Sequence, residues 1–381
     1  MDGLQSKAID GIRFPLIIMV VFIHNVGLGV PISDISFVFS NGLTSSDLYN
    51  LFRKMILGIF GCVAVPTFYV ISGYLFFYNF DKLTKNVFLK KIKSRFSSLL
   101  IPYVCWNTIA YFPFNDIMFS VVKGTSFIWP DFSFSIFLNC VKNVSIDKFG
   151  HTIYYFHPIN MPLWYVRNLM VLVLLTPLID FCLNRNRWVY LLIVSSLVVV
   201  PLDGRFPYLP ALSFMSLFYF SIGCFLGKYK IDLTDVCNKI KMLNYFFSLF
   251  LFVGYLLLTI NGSVIYGYNI IYGYHYLMAL SFMVTMYNVC CYFILRKGWI
   301  PSTFLCSSVF FILVVHNMPR AIVIPILGYK IQELFGTTFW GAMSSFLLVP
   351  ITKIFICLFF FWLLGKVCPR TLSVLIGKRV A

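Results

Sequence analysis

The sequence predicts an all-α, polytopic integral membrane protein, a bundle of about ten transmembrane helices with both termini in the cytoplasm. Three observations predict it. Of the 381 residues 60% are hydrophobic, 43 are phenylalanine, and mean hydropathy is +0.87, so core-like sequence continues without the polar faces that a water-soluble domain needs. The apolar runs are about twenty residues long and apolar all round, which suits helices crossing a hydrocarbon layer and not the short alternating strands of a barrel. Lysine and arginine collect in alternate connections, and the positive-inside rule places those connections in the cytoplasm with both chain ends.

Taken in order, the spans fall at 9–30, 56–80, 97–114, 163–183, 188–202, 209–227, 245–260, 272–295, 304–327 and 343–365. The first follows only a short polar lead and lacks a small-residue cleavage site, so it reads as a retained span and not a removed signal peptide. The fifth and seventh are the shortest. Between the third and fourth runs a long outer-side connection, 115–162, carrying Trp129, Phe132, Phe134, His151, Tyr154, Tyr155 and His157. It is too long for a turn and too apolar for a solvated linker, and is expected to fold back on the membrane surface or into a cavity mouth. The chain 1–381 thus reads as one membrane domain without an appended soluble domain.

The net charge of +17 is mainly a topology signal, because nucleic-acid binding needs a basic polar domain outside the membrane and no segment offers one. The eleven cysteines sit mostly inside spans and form no Cys-x-x-Cys pair, so they read as small packing residues, and no metal site is expected. There is no glycine-rich phosphate loop, no Gly-x-Ser-x-Gly elbow and no His-Glu-x-x-His. Any chemistry must come from intramembrane side chains.

Arg13 and His24 are the first candidates, standing on one apolar segment in a chain with 11% charged residues. At about 1.5 Å per residue they lie roughly 16 Å apart, about half the hydrocarbon thickness. The arginine is then near one surface and the histidine deep inside. Two readings stay open: an interfacial anchor plus a backbone-bonded imidazole, or a transmembrane reaction site. Asp10, one turn before Arg13, is placed to hold its side chain.

The Arg13, ten residues, His24 pattern, followed by Pro66-Thr-Phe-Tyr-Val-Ile-Ser72-Gly73-Tyr74-Leu75, resembles the acyltransferase-3 family of integral membrane acyltransferases. Further elements agree in order: Lys90-Lys-Ile-Lys-Ser-Arg95, Leu99-Leu-Ile-Pro102-Tyr103 with Trp106, Leu163-Trp164-Tyr165-Val166-Arg167, Phe220-Ser-Ile-Gly223, and Ser308 to His316. The resemblance implies an enzyme of the bacterial inner membrane that takes an acyl group, usually acetyl from acetyl-CoA, and places it on a hydroxyl of a glycan or similar acceptor. It implies His24 as the catalytic histidine and Arg13 as a donor-side residue. Many relatives carry Arg-x-x-Arg in the basic stretch, where this chain has lysines and Arg95 alone. Lysine binds phosphate as a point charge without the bidentate fork.

Acyl transfer needs a general base, a stabilised oxyanion and a holder for the polyanionic donor. Imidazole titrates near neutrality, which suits the base. Ser72, with the Ser-Gly backbone, is the oxyanion candidate, the alternative being that Ser72-Gly73 only allows close helix packing. Arg13, Lys91, Lys93 and Arg95 are candidates for CoA phosphates, the alternative being plain topology charges. His316 either faces the acceptor or His24, or is bonded within its own helix. Trp164 is an aromatic-belt residue or a sugar-stacking platform, and Arg167 binds an acidic group or a lipid phosphate. The reading is a membrane O-acyltransferase whose partners are acyl-CoA, a glycan or lipid-linked saccharide, and membrane lipids, but no nucleic acid. The competing reading is a transporter or flippase of a lipid-linked glycan, which also needs buried charges.

Overall fold

A computed structural model describes residues 3–25, 45–111, 141–146, 152–199, 213–260, 268–318, 323–336 and 338–378. The described residues are overwhelmingly helical: α1 (Gly3–Ile23), α2 (Ser45–Tyr78), α3 (Lys85–Arg95), α4 (Ile101–Tyr111), α5 (Trp164–Leu174), α6 (Thr176–Val199) and α7 (Phe214–Lys228). They continue as α8 (Leu233–Ile260), α9 (Tyr268–Lys297), α10 (Thr303–Val315), α11 (Tyr329–Phe335), α12 (Phe339–Val367) and α13 (Pro369–Leu375). The exception to the all-α expectation lies in the long connection, where β1 (Val141–Ile146) pairs antiparallel with β2 (Thr152–His157), Val141 opposite His157 and Ile146 opposite Thr152. The β-branched and aromatic run Thr-Ile-Tyr-Tyr-Phe favours an extended backbone. Trp129, Phe132, Phe134 and His151 lie outside the described residues.

By length and composition, four described helices are able to cross a membrane: Leu48–Tyr78, Leu233–Leu258, Tyr274–Lys297 and Phe339–Val367. Met161–Leu174 and Thr176–Ser196, bent by 55°, form a fifth if counted as one broken span. Among the described helices, α7 (15 residues) and α10 (13 residues) are shorter apolar helices. The fourth breaks at Leu175, and α6 then runs through the expected connection to the fifth, kinking at Asn186, whose φ of −158° and ψ of 98° leave the helical region. The Asn186 carboxamide accepts from the N–H groups of Trp188 (3.2 Å) and Val189 (3.1 Å), capping the segment that restarts there. The ninth stops at Val315, and the chain resumes in a π-type turn at Ile324–Gly328. A hydropathy window averages over such breaks.

The chain divides into two compact units. The first comprises Met1–Ile71, Lys230–Val309 and Val323–Ile356. Its backbone is the α8–α9 hairpin, whose polarity is inside out. Leu243, Phe246, Leu249, Phe250, Val253 and Leu257 are exposed along one stripe of α8. On the opposite face Asn244 donates to the Ser281 carbonyl (3.0 Å) and to Thr285 (2.8 Å), and Ser248 bonds Ser281 (2.7 Å). Apolar outside and hydrogen-bonded inside is how helices associate in lipid. Helix α1 lies along α9, where a Cβ at Gly11 would come within 2.7 Å of the Trp299 ring and 2.8 Å of the Cys290 sulfur.

The second unit comprises Ser72–Tyr229, Phe310–Ile322 and Cys357–Ala381. Its tightest crossing sets the end of α2 against α7: a Cβ at Gly73 would run into the backbone at Phe220 and Cys224, and one at Gly227 into the backbone at Tyr74. Trp106 on α4 donates to the Leu375 carbonyl (2.9 Å) and meets Phe311 edge-on, and Phe311 in turn meets Phe361. Lys228 forms a partly buried ion pair with Asp180.

Candidate active site

In the first unit Arg13 is half-buried on α1 and donates to Asp10 at 2.8 Å, the i, i+3 partner its spacing predicts. α1 ends at Ile23, and His24 follows as a turn residue whose N–H still reaches the Val20 carbonyl (3.3 Å). The next residue, Asn25, is buried and donates its Nδ2 to the Phe346 carbonyl of α12 at 3.3 Å. That carbonyl is available for a definite reason. Pro350, four residues on, has no N–H, so the helix leaves Phe346 without its usual donor. Phe22 packs edge-on against Phe346 (5.8 Å) and Phe60 (5.9 Å), closing an aromatic cluster with Tyr49 around the end of α1.

Two turns beyond Phe346 on α12 stands Lys353, only 1% exposed. A lysine at the centre of an apolar span costs about 2.5 to 3.5 kcal/mol on insertion scales. Sequence reasoning gave it no role. The signal was the same one that singled out His24, an ionisable residue within an apolar span.

In the second unit the Ser72 hydroxyl lies 3.2 Å from the Tyr165 hydroxyl. Gly73 does serve close packing, and Ser72 itself faces Tyr165 from α5. Helix α3 begins at a Thr84 cap, whose hydroxyl accepts from Val87 N–H (3.3 Å), and carries Lys91 and Arg95 one turn apart. The Lys91 ammonium sits over the rings of Phe76 (5.5 Å) and Phe80 (5.4 Å), a cation–π arrangement. Burial, and then the like charge of Arg95, hold Lys91 below the ordinary lysine value. Burial also lowers Arg95, with the Tyr165 phenol acting in the opposite direction. Lys93 is exposed. Tyr165, in contact with Ser72 and electrostatically coupled to Arg95, is the residue that sequence reasoning quoted without a role. A separation of 93 residues from Ser72 hides such a pair in a single sequence.

Trp164 opens α5, and Arg167 follows one turn later with its Nε buried. His316 is fully buried, its Nδ1 within 3.0 Å of the Ile312 carbonyl and 2.9 Å of the Leu313 carbonyl. With two carbonyls at that distance Nδ1 acts as the donor, and His316 caps the end of α10. Nearby, Asn160 donates its Nδ2 to the Val314 carbonyl (2.9 Å) and its backbone N–H to the Asn107 Oδ1 (3.1 Å).

Comparison with known proteins decides the class: residues 6–368 match the acyltransferase domain model of acyltransferase-3. The chain belongs to the acyltransferase-3 family. The succinoglycan biosynthesis protein ExoH of Rhizobium meliloti (strain 1021) is 25% identical over 256 residues, which are 65% of this chain and 58% of that relative. The chain therefore spans somewhat over half the length of the curated relative it matches. No solved structure is significantly similar to it.

Proposed function

We propose that this acyltransferase moves an acetyl group from cytoplasmic acetyl-CoA to a hydroxyl of a cell-envelope glycan or lipid-linked saccharide, working in the bacterial inner membrane through ten crossings with both termini in the cytoplasm. The observation that carries the reading is His24, held at the end of an apolar helix by the Asn25–Phe346 bond in a chain of an acyltransferase family. His24 takes the proton of the acceptor hydroxyl as its oxygen attacks the thioester carbonyl carbon. The carbonyl π pair moves to oxygen, and the adduct collapses with loss of the CoA sulfur, which receives the proton from His24. Ester and free thiol are the products. Ser72, backed by Tyr165, donates to the acyl carbonyl. Arg95, Lys91, Lys93 and Arg13 hold donor phosphates, Arg95 and Lys91 sharing one face of α3. Trp164, Arg167 and His316 serve the acceptor. The name of the Rhizobium relative supports a polysaccharide acceptor.

The test is to reconstitute the full chain in vesicles with acetyl-CoA and a lipid-linked glycan extract. The expected result is free thiol released together with a glycan mass increase of one acetyl group. Translocation of the glycan with neither change overturns the reading in favour of a flippase.

A further inference from the structure

α2 runs for 34 residues, roughly 50 Å at about 1.5 Å per residue, against a hydrocarbon layer of about 30 Å, so its first turns reach a membrane surface. An arginine there ordinarily anchors the helix by running its guanidinium outward to water or lipid phosphate. Arg53 turns inward instead: its Nε and Nη1 are buried and meet no hydrogen-bond partner among the described residues. Tyr49, one turn earlier on the same face, is 1% exposed, and its hydroxyl is likewise buried and unmet. The Tyr49 ring meets Phe346 edge-on at 6.5 Å, and Phe346 is the residue that packs against Phe22 (5.8 Å) and accepts the Asn25 carboxamide. Within the first unit the pair therefore stands at the end of α1 that carries His24, whereas Arg13 lies about 16 Å back along that helix. We propose that Arg53 and Tyr49 bind an anionic group, a carboxylate or phosphate, on the acceptor glycan. This rests on the acyl-transfer reading above.

The count of donors gives the reason. Nε carries one N–H and Nη1 two, so three of the five guanidinium protons are shut away from water. The Tyr49 oxygen can take one of them, and its own hydroxyl proton is then a further donor in need of an acceptor. A charged site rich in donors and poor in acceptors is costly to bury. A ligand that only accepts removes that cost, because an ionised carboxylate or phosphate meets the N–H and O–H groups and the positive charge at once. A neutral sugar hydroxyl is a poorer match, bringing a proton of its own and no charge. Position assigns the anion to the acceptor and not to the acyl donor: in the proposed reaction Arg13 holds donor phosphate, and this site lies at the other end of α1. An anion seated here fixes the sugar beside His24 and so selects which hydroxyl reaches the imidazole.

The experiment uses the full chain in vesicles with acetyl-CoA and three forms of the lipid-linked glycan extract: untreated, with its carboxylates amidated by carbodiimide and methylamine, and cleaved by mild acid to the free glycan, which lacks the lipid phosphate. Acceptor KM is measured by thiol release and glycan acetylation for wild type, Arg53→Gln, Tyr49→Phe and Lys54→Gln, with membrane accumulation followed in parallel. With untreated extract Arg53→Gln should raise acceptor KM about tenfold to a hundredfold, the range of a hydrogen bond to a charged group, and Tyr49→Phe about twofold to tenfold. KM for acetyl-CoA should change by less than about threefold. Lys54→Gln removes the neighbouring charge and keeps the backbone carbonyl that Tyr255 uses, and it should leave acceptor KM unaltered. The Arg53→Gln effect should vanish with one treated extract, the amidated one for a sugar carboxylate and the cleaved one for phosphate. An unaltered acceptor KM in Arg53→Gln, an equal rise in Lys54→Gln, or an effect that persists with both treated extracts overturns the proposal while acyl transfer stands. Should Arg53→Gln fail to accumulate, Arg53→Lys replaces it with an expected rise of at least about threefold, and failure of both variants marks a structural arginine and overturns the proposal as well. A wild-type protein that releases no thiol overturns this proposal and the acyl-transfer reading together.

Discussion

In the proposed reaction His24 transfers the proton and the basic residues of α3 bind the donor, so each role can be removed separately. His24→Ala is expected to lower acyl transfer by about 10² to 10⁴, the usual weight of a general base, with normal accumulation in the membrane. A well-expressed His24→Ala protein with wild-type thiol release would remove the base assignment. On the donor side, Arg95→Ala should weaken acetyl-CoA binding by about 1.5 to 3 kcal/mol, the scale of a charge-assisted hydrogen bond, read by calorimetric titration. Lys91 adds a pH signature. Because burial and Arg95 hold its ammonium below the ordinary value, its proton is lost earlier as pH rises, and donor affinity should decline on the alkaline side before an exposed lysine would titrate. Lys91→Arg should flatten that decline, and titrations at several pH values check it.

Among the elements, α12 shows how one proline organises a neighbour. Pro350 deprives the Phe346 carbonyl of its helical donor, and Asn25 supplies the replacement. Asn25→Ala should therefore destabilise the protein by about 1 to 3 kcal/mol, the cost of leaving a buried acceptor unmet. In a Pro350→Ala background the helix supplies its own N–H, so the same Asn25→Ala change should cost less. Thermal unfolding of the four proteins of this cycle in detergent measures the coupling. Equal costs in both backgrounds would mean that Asn25 contributes only packing.

At the scale of the whole molecule the prediction concerns topology. With both termini cytoplasmic, a fluorescent protein fused after Ala381 should fold and fluoresce, and alkaline phosphatase fused at Asp147 in the long connection should be active outside. Inactive phosphatase at Asp147 beside an active fusion at the C-terminus would invert the assignment. Candidate residues distribute over both compact units: Arg13, His24 and Arg53 belong to the first, and Ser72, Lys91, Lys93, Arg95, Trp164, Arg167 and His316 to the second.

Composition and apolar run length by themselves determined that this protein is helical and belongs in a membrane, because a hydrocarbon solvent leaves the backbone few other solutions. The family was legible in short ordered motifs from Arg13 to His316. His24 stood out since an imidazole in an apolar run carries a visible cost, and Asp10 was found from local helix spacing. Tertiary structure alone decided the rest. Breaks at Leu175, Asn186 and Val315 depend on local backbone geometry that hydropathy averages away. Tyr165 against Ser72, and Asn25 against Phe346, join residues 93 and 321 positions apart. Lys353 looked like one more charge in a basic chain until burial on the inner stripe of α12 set it apart. Spacing along a chain reports neighbours within a helix turn, whereas a site assembled from several helices exists only once they pack.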